Sequence, residues 1–208
     1  MDVLFFLKRR TDFIRRFYQT AGQSYRETIR KIEAGEAPFD NPPYSEDGEP
    51  PYMEEWQEAD TSVQMIGRAC LSMLSASLHL YFKTWESELG IEWQPGERKK
   101  AFKNGFLHGY RTYFGEVLKI DWDECPANLD ILEQVTLARN RDQHPDHITM
   151  LYVTHAPADR TKFRQLFFVG DFEKRMLADA ELADDPWIVP AVHVSRETLF
   201  AATEQVDV

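Results

Sequence analysis

Arg139-Asn140-Arg141-Asp142-Gln143-His144-Pro145 closes a segment whose apolar residues Leu129, Leu132 and Val135 recur at helical spacing. At ~100° per residue, Arg139 falls roughly 20° from Leu132, inside the apolar stripe and not opposite it. An arginine on a buried face needs a partner, because an unpaired charge there costs several kcal/mol. Arg141 lies roughly opposite Arg139, where a solvated charge is ordinary. Pro145 disfavours helical geometry at the residue before it, so the helix, beginning at about Ala127, is expected to end at about His144. A fixed cation and a titratable imidazole then stand at the end of a helical seam. Guanidinium binds phosphoryl oxygens and imidazole moves protons, so the pair suits phosphate chemistry. The same two residues also complement a helix C-terminus with no chemistry at all.

Outward from this helix, the chain is predominantly helical in pattern. Phe6, Phe13, Phe17, Tyr18, Ala21, Tyr25, Ile29 and Ile32 predict one long helix over about residues 3–34, with Gly35 as its stop. Pro38, Pro42, Pro43, Pro50 and Pro51 then punctuate an acidic stretch, about 36–52, which reads as a long surface loop. A second long helix is expected from Met53 or Asp60 to Leu89. Its two adjacent apolar stripes, Cys70, Met73, Ser77 and Leu80 beside Leu71, Leu74, Leu78 and Phe82, mark a central helix packed on more than one side. Gly90 is placed as a left-handed cap. Phe102, Phe106, Tyr110 and Phe114 predict a third helix from Glu97 to Leu118.

Past His144 the pattern changes. Met150-Leu151-Tyr152-Val153 and Leu166-Phe167-Phe168-Val169 are short β-prone runs that read as a hairpin or two strands, and Trp187-Ile188-Val189 with Val192-His193-Val194 would add a strand. Ser195 is the N-cap of a short final helix. The expected fold is therefore mainly α: a bundle of four to five helices over residues 1–148, with a small C-terminal β-hairpin or strand appendage over 149–208 packed on it.

With 208 residues and 43% hydrophobic content, the chain can build a sizeable core. Cys70 and Cys125 are its only cysteines, which points away from a disulfide framework and towards a reducing compartment. The apolar run Val3–Leu7 is too short for a secretory signal and precedes its basic residues. Ala69–Phe82 is too short to cross a bilayer. A cytoplasmic protein with no membrane partner is expected. The net charge of −11 argues against generic nucleic-acid binding, which depends on phosphate neutralisation. Two local basic patches remain: Lys8, Arg9, Arg10, Arg15 and Arg16, then Arg98, Lys99, Lys100, Lys103 and Arg111.

Four helices, two of them long, with Arg-Asn-x-x-x-His closing the last, resemble the HEPN superfamily (higher eukaryotes and prokaryotes nucleotide-binding domain) over about residues 55–148. Active members carry Arg-x4-6-His, usually with a polar residue such as Asn directly after the Arg; here these are Arg139, Asn140 and His144. The resemblance implies metal-independent cleavage of RNA, with no cofactor and with paired motifs meeting across a homodimer interface. Many members are toxins of toxin–antitoxin pairs or parts of antiviral defence systems, which implies an antitoxin or other partner protein. Other members have lost activity and serve as nucleotide-binding or interaction modules. The Pro-rich acidic loop, the C-terminal extension and the net acidity depart from a minimal domain of this kind.

In the nuclease reading the ribose 2′-hydroxyl attacks the adjacent phosphate. His144 transfers the proton, Arg139 stabilises charge developing on the phosphorane, and Asn140 orients Arg139 or donates to phosphate. Arg141 and Lys103 are weaker expectations for substrate contact. The alternative is a non-catalytic helical dimerisation or nucleotide- or protein-binding module, in which Arg139 and His144 hold the seam or bind an anion. An open cleft around Arg139 and His144 favours the first; burial against Asp or Glu favours the second. His144, Asp146, His147 and His155 carry metal-binding atoms, but Pro145 breaks the helical spacing, so no metal site is expected. Glu86/Glu88 and Asp121/Asp123 read as solvated surface.

Overall fold

The computed structural model describes residues 2–44, 48–144, 152–163, 165–179 and 188–208. The first predicted helix is two: α1 (Val3–Ala21) and α2 (Gln23–Ala34), divided at Gly22. In an unbroken helix the Gln19 carbonyl would accept from the Gln23 N–H. Here the Arg26 guanidinium donates to it at 2.6 Å and to the Tyr18 carbonyl at 3.3 Å. Asp2 caps α1 by accepting from the Phe5 N–H at 2.9 Å, and Gly35 closes α2 in the left-handed conformation, φ 60°.

The long helix α3 (Met53–Glu88) is central, as its two apolar stripes predict, and Gly90 follows it with φ 61°. The third predicted helix is interrupted. It becomes α4 (Glu97–Ala101), a 3-10 turn over Phe102–Asn104, and α5 (Phe106–Leu118). Gly105 breaks it by adopting φ 116°, ψ 165°, a conformation that side chains rarely allow. The break lets the Phe102 ring fold back over Gly109, where an added Cβ would meet that ring at 2.7 Å. Phe82, Phe102, Phe106 and Tyr110 then form one aromatic cluster, with Phe82 and Tyr110 stacked at 4.7 Å. Next, α6 (Leu129–Gln143) starts at Asn128, whose side-chain oxygen accepts from the Asp130 and Ile131 N–H groups at 3.1 and 3.2 Å.

The C-terminal part departs most from expectation. Among the described residues it contains no strand, only an isolated antiparallel bridge between Thr154 and Ala191. It is instead helical: α7 (Pro157–Lys162), α8 (Asp171–Ala178) and α9 (Arg196–Asp207), the last capped by Ser195 as expected. Met150, Leu151 and Trp187 lie outside the described residues. Leu166, Phe168 and Val169 are buried, so this run is apolar because it fills the core and not because it pairs in a sheet. Buried Gln134 of α6 takes the place of a strand partner: its Oε1 accepts from the Phe167 N–H at 2.8 Å. Helix α9 shares one core with the bundle through Leu199, Ala202 and Val206. Gly67 makes room for the approach, since a Cβ there would stand 2.7 Å from Val194 Cβ. Thr11 donates to Asp207 at 2.6 Å and Arg15 to Thr203 at 2.7 Å, tying α9 to α1. No helix among the described residues is long and apolar enough to cross a membrane.

His155 is 5% exposed, with Nε2 2.8 Å from the Phe168 carbonyl and its backbone N–H donating to the Pro190 carbonyl at 3.0 Å. Burial holds the imidazole below its ordinary pKa, only partly offset by the Phe168 carbonyl, Asp159 and Glu173. The unfolded chain therefore binds a proton here more readily than the folded one, and stability falls as pH drops below about 6.5. Calorimetry from pH 7 to 5.5 should show a falling melting temperature. His155→Gln, which keeps a donor for Phe168 but does not titrate, should melt lower at pH 7 and flatten the slope. An unchanged slope would show that His155 is not the group responsible.

Candidate functional site

Helix α6 buries Leu132, Gln134, Val135 and Ala138. Arg139 and Asn140 are half-buried at the edge of that face. The Arg139 Nη1 donates to the Asn140 side-chain oxygen at 2.9 Å, and among the described residues no carboxylate pairs with Arg139. His144 is exposed at the helix end, where its N–H donates to the Asn140 carbonyl at 3.1 Å. Asn140 thus touches both ends of the motif, one through its side chain and one through its backbone. Five residues separate Arg139 from His144 by ~7.5 Å along a helix axis and ~140° around it. Among the described residues no hydrogen bond links their side chains.

Neighbouring residues anchor this end. Asp142 pairs with Arg68 of α3 at 2.8 Å, with the arginine side chain 11% exposed. Arg141 is not the solvated charge that its wheel position suggests: it is half-buried, and its Nε donates to the Thr154 carbonyl at 3.0 Å. It holds the chain beyond α6, a role invisible to helical periodicity because its partner lies 13 residues away. Lys103 is exposed on the turn Phe102–Asn104, on a different element from Arg111. Of the five residues singled out from sequence, the structure joins Arg139 to Asn140 and Asn140 to His144. Arg141 is engaged elsewhere, and no hydrogen bond or ion pair among the described residues links Lys103 to the others.

Two further cations, Lys83 and Arg98, act on an imidazole in this region. The His79 ring stacks on Phe106 at 4.4 Å with an interplanar angle of 14°. Its pKa is lowered by burial first, then by the positive charges of Arg98, Lys83 and Arg139. Those three positive charges outweigh the opposing carboxylate of Glu86 at this imidazole, in a chain of net charge −11. The sequence carries a signal for it. Arg68, Ser72, Ser75, His79 and Lys83 recur every three or four positions, a polar stripe along the more apolar C-terminal half of α3.

Glu86 lies beneath this zone and is 6% exposed, contrary to the expectation of a solvated carboxylate, whereas Glu88 is exposed. It accepts from the Tyr110 hydroxyl at 2.6 Å, from Arg98 Nη1 at 2.7 Å and from the Trp93 indole. Burial raises its pKa, but these donors outweigh burial and the net shift is downward. A carboxylate so fully occupied is an anchor for α3, α4 and α5 and a poor general base.

On the open side of α3, Met65 (60% exposed), Ala69, Ala76 and Leu80 (45% exposed) face water. With Phe6 and Phe13 of α1 they leave an apolar surface that no described residue covers, and Arg9, Arg10 and Arg16 flank the groove between the two helices. Compared with protein-family models, characterised proteins and solved structures, the chain matches none.

Proposed function

We propose that the end of α6 is a metal-independent endoribonuclease site of the HEPN type, working as a toxin or defence effector. One observation carries this: Arg139 is half-buried, oriented by Asn140 and paired with no carboxylate among the described residues, while His144 stands exposed. A guanidinium held by a neutral amide keeps its charge available for phosphate. Lys83 adds to the local positive potential, whereas Arg98 is paired with Glu86. His144 would accept the 2′-hydroxyl proton or protonate the 5′-oxygen, and Arg139 would stabilise the phosphorane. The products are a 2′,3′-cyclic phosphate and a 5′-hydroxyl. The test is incubation of wild type with mixed RNA in EDTA followed by end-group analysis. Cleavage should persist in chelator; loss of cleavage that zinc or manganese restores would move the chemistry to a metal.

Because one copy offers a single Arg139 and a single His144, the complete acid–base set comes from a two-fold pair of chains. The uncovered strip Met65, Ala69, Ala76 and Leu80 shares α3 with Arg68 and His79, so an interface there lies next to the motif. Light scattering should give a homodimer at micromolar concentration, and Met65→Glu with Leu80→Glu should give a folded monomer that no longer cuts RNA. A wild-type monomer would count heavily against the site. A non-catalytic helical module has its own support, since Arg141 and Asp142 at the same helix end are both occupied in holding structure. That module would dimerise but leave RNA intact.

A further inference from the structure

Helices α1 and α3 leave a groove of about 760 Å³ between them. Its lining runs from Val3 to Arg16 along α1, roughly 20 Å of helix axis. Buried Leu7 and Ile14 lie in it with Met73 of α3, while Phe6 and Phe13, 54% and 56% exposed, stand at its edge with Leu80. The α3 hydroxyls in the lining are already engaged: Ser77 donates to the Met73 carbonyl at 2.8 Å and Thr84 to the Leu80 carbonyl at 2.7 Å. A long apolar trough between two packed helices has the shape that a third helix fills.

Charge decides which helix. Among the described residues, every charged side chain in the lining is a cation: Arg9, Arg10 and Arg16. All three are exposed and form no ion pair with a described residue, whereas neighbouring Arg15 is held by Asp12 and Asp207. In a chain of net charge −11, an apolar groove edged by cations alone is complementary to an acidic partner. Arg9 and Arg16 stand seven residues apart on one side of α1, about 10.5 Å along its axis. Carboxylates two turns apart on a helix match that spacing, which a single anionic head group does not. A two-fold pair of copies centred on the groove would set these arginines against their own equivalents. We propose that the groove docks an acidic amphipathic helix of a partner protein, with its apolar face on Phe6, Phe13 and Leu80 and its carboxylates on the arginines. The proposal does not depend on the chemistry at the end of α6. Leu80 also belongs to the strip through which two copies would pair, so the helix and a second copy compete for it.

Three labelled peptides of about 18 residues, roughly 27 Å as helices, test it by fluorescence anisotropy with the full chain. The first carries leucines on one face and glutamates on the other, the second has lysines for the glutamates, and the third has serines for the leucines. The first should bind saturably and at least about tenfold more tightly than the other two. Arg9→Glu with Arg16→Glu, at exposed positions, should weaken it by at least about tenfold and tighten the lysine peptide. Phe13→Ala should also weaken the first peptide but leave its salt dependence in place. In Met65→Glu, outside the lining, its affinity should hold or rise, a rise reporting release from competition with a second copy. Absence of saturable binding, a preference for the lysine peptide, or wild-type affinity in the folded Arg9→Glu, Arg16→Glu variant would each overturn the proposal. An oligouridylate that binds more tightly than the first peptide and is lost in the same variant would overturn it too, and assign the groove to RNA.

Discussion

Arg139→Ala and His144→Ala should each reduce RNA cleavage by about 10²-fold or more, the scale of a lost charge stabiliser or proton-transfer group. Both variants should melt close to wild type. His144 is exposed at the helix end, and among the described residues it is bonded through its backbone alone. Arg139 donates to Asn140 and to no carboxylate among the described residues, so its removal strands no charge. Asn140→Ala should retain intermediate activity, because it frees the guanidinium without removing it. Arg141→Ala is a poor control despite its place opposite Arg139, since it loses a bond to the Thr154 carbonyl. Exposed Lys99→Ala serves instead and should cut at the wild-type rate. If Arg139→Ala and His144→Ala cut like wild type, or wild type is inert with every RNA tried, the end of α6 is not a nuclease site and the helical module is the better account.

Glu86→Ala should be the most destabilising single change, costing about 3 kcal/mol, because it leaves the Arg98 cation and the Tyr110 and Trp93 donors without their acceptor. For a domain of this size that corresponds to a fall in Tm of roughly 6–12 °C. Arg98 is half-exposed and can recover water, which places the loss at the lower end of the range for broken buried pairs. Tyr110→Phe removes one donor and keeps the others, so about 1.5 kcal/mol is expected. Urea denaturation with the two single variants and the double variant would measure the coupling. A Glu86→Ala loss below about 1 kcal/mol would show that the carboxylate does not anchor α3 to α4 and α5.

Much of the helical layout was legible in the residues themselves. Helix ends were readable where the signal is local: Gly35 and Gly90 supply left-handed caps, and Ser195 accepts from the Thr198 N–H three residues on. The central position of α3 followed from apolar residues around most of its circumference, and the adjacency of Arg139 and Asn140 from their order in the chain. These features depend on interactions within a turn or two, which periodicity reads directly.

Only the tertiary structure decided the rest, because the deciding partners are distant in sequence. Whether Leu166–Val169 pairs as a strand or fills a core depends on Gln134, more than 30 residues earlier, which offers its side-chain amide to that backbone. The continuous aromatic stripe of the third helix concealed the break at Gly105, since Phe102 keeps its apolar role by folding over Gly109. Glu86 looked solvated beside Glu88 until Tyr110, Trp93 and Arg98 were brought to it. Arg141 looked free until Thr154 met it. By itself the sequence determined the main helices up to His144 and the final one, through local periodicity and capping. The tertiary structure decided which polar groups stay available, because a charge is anchored or left open only by what the rest of the chain packs against it.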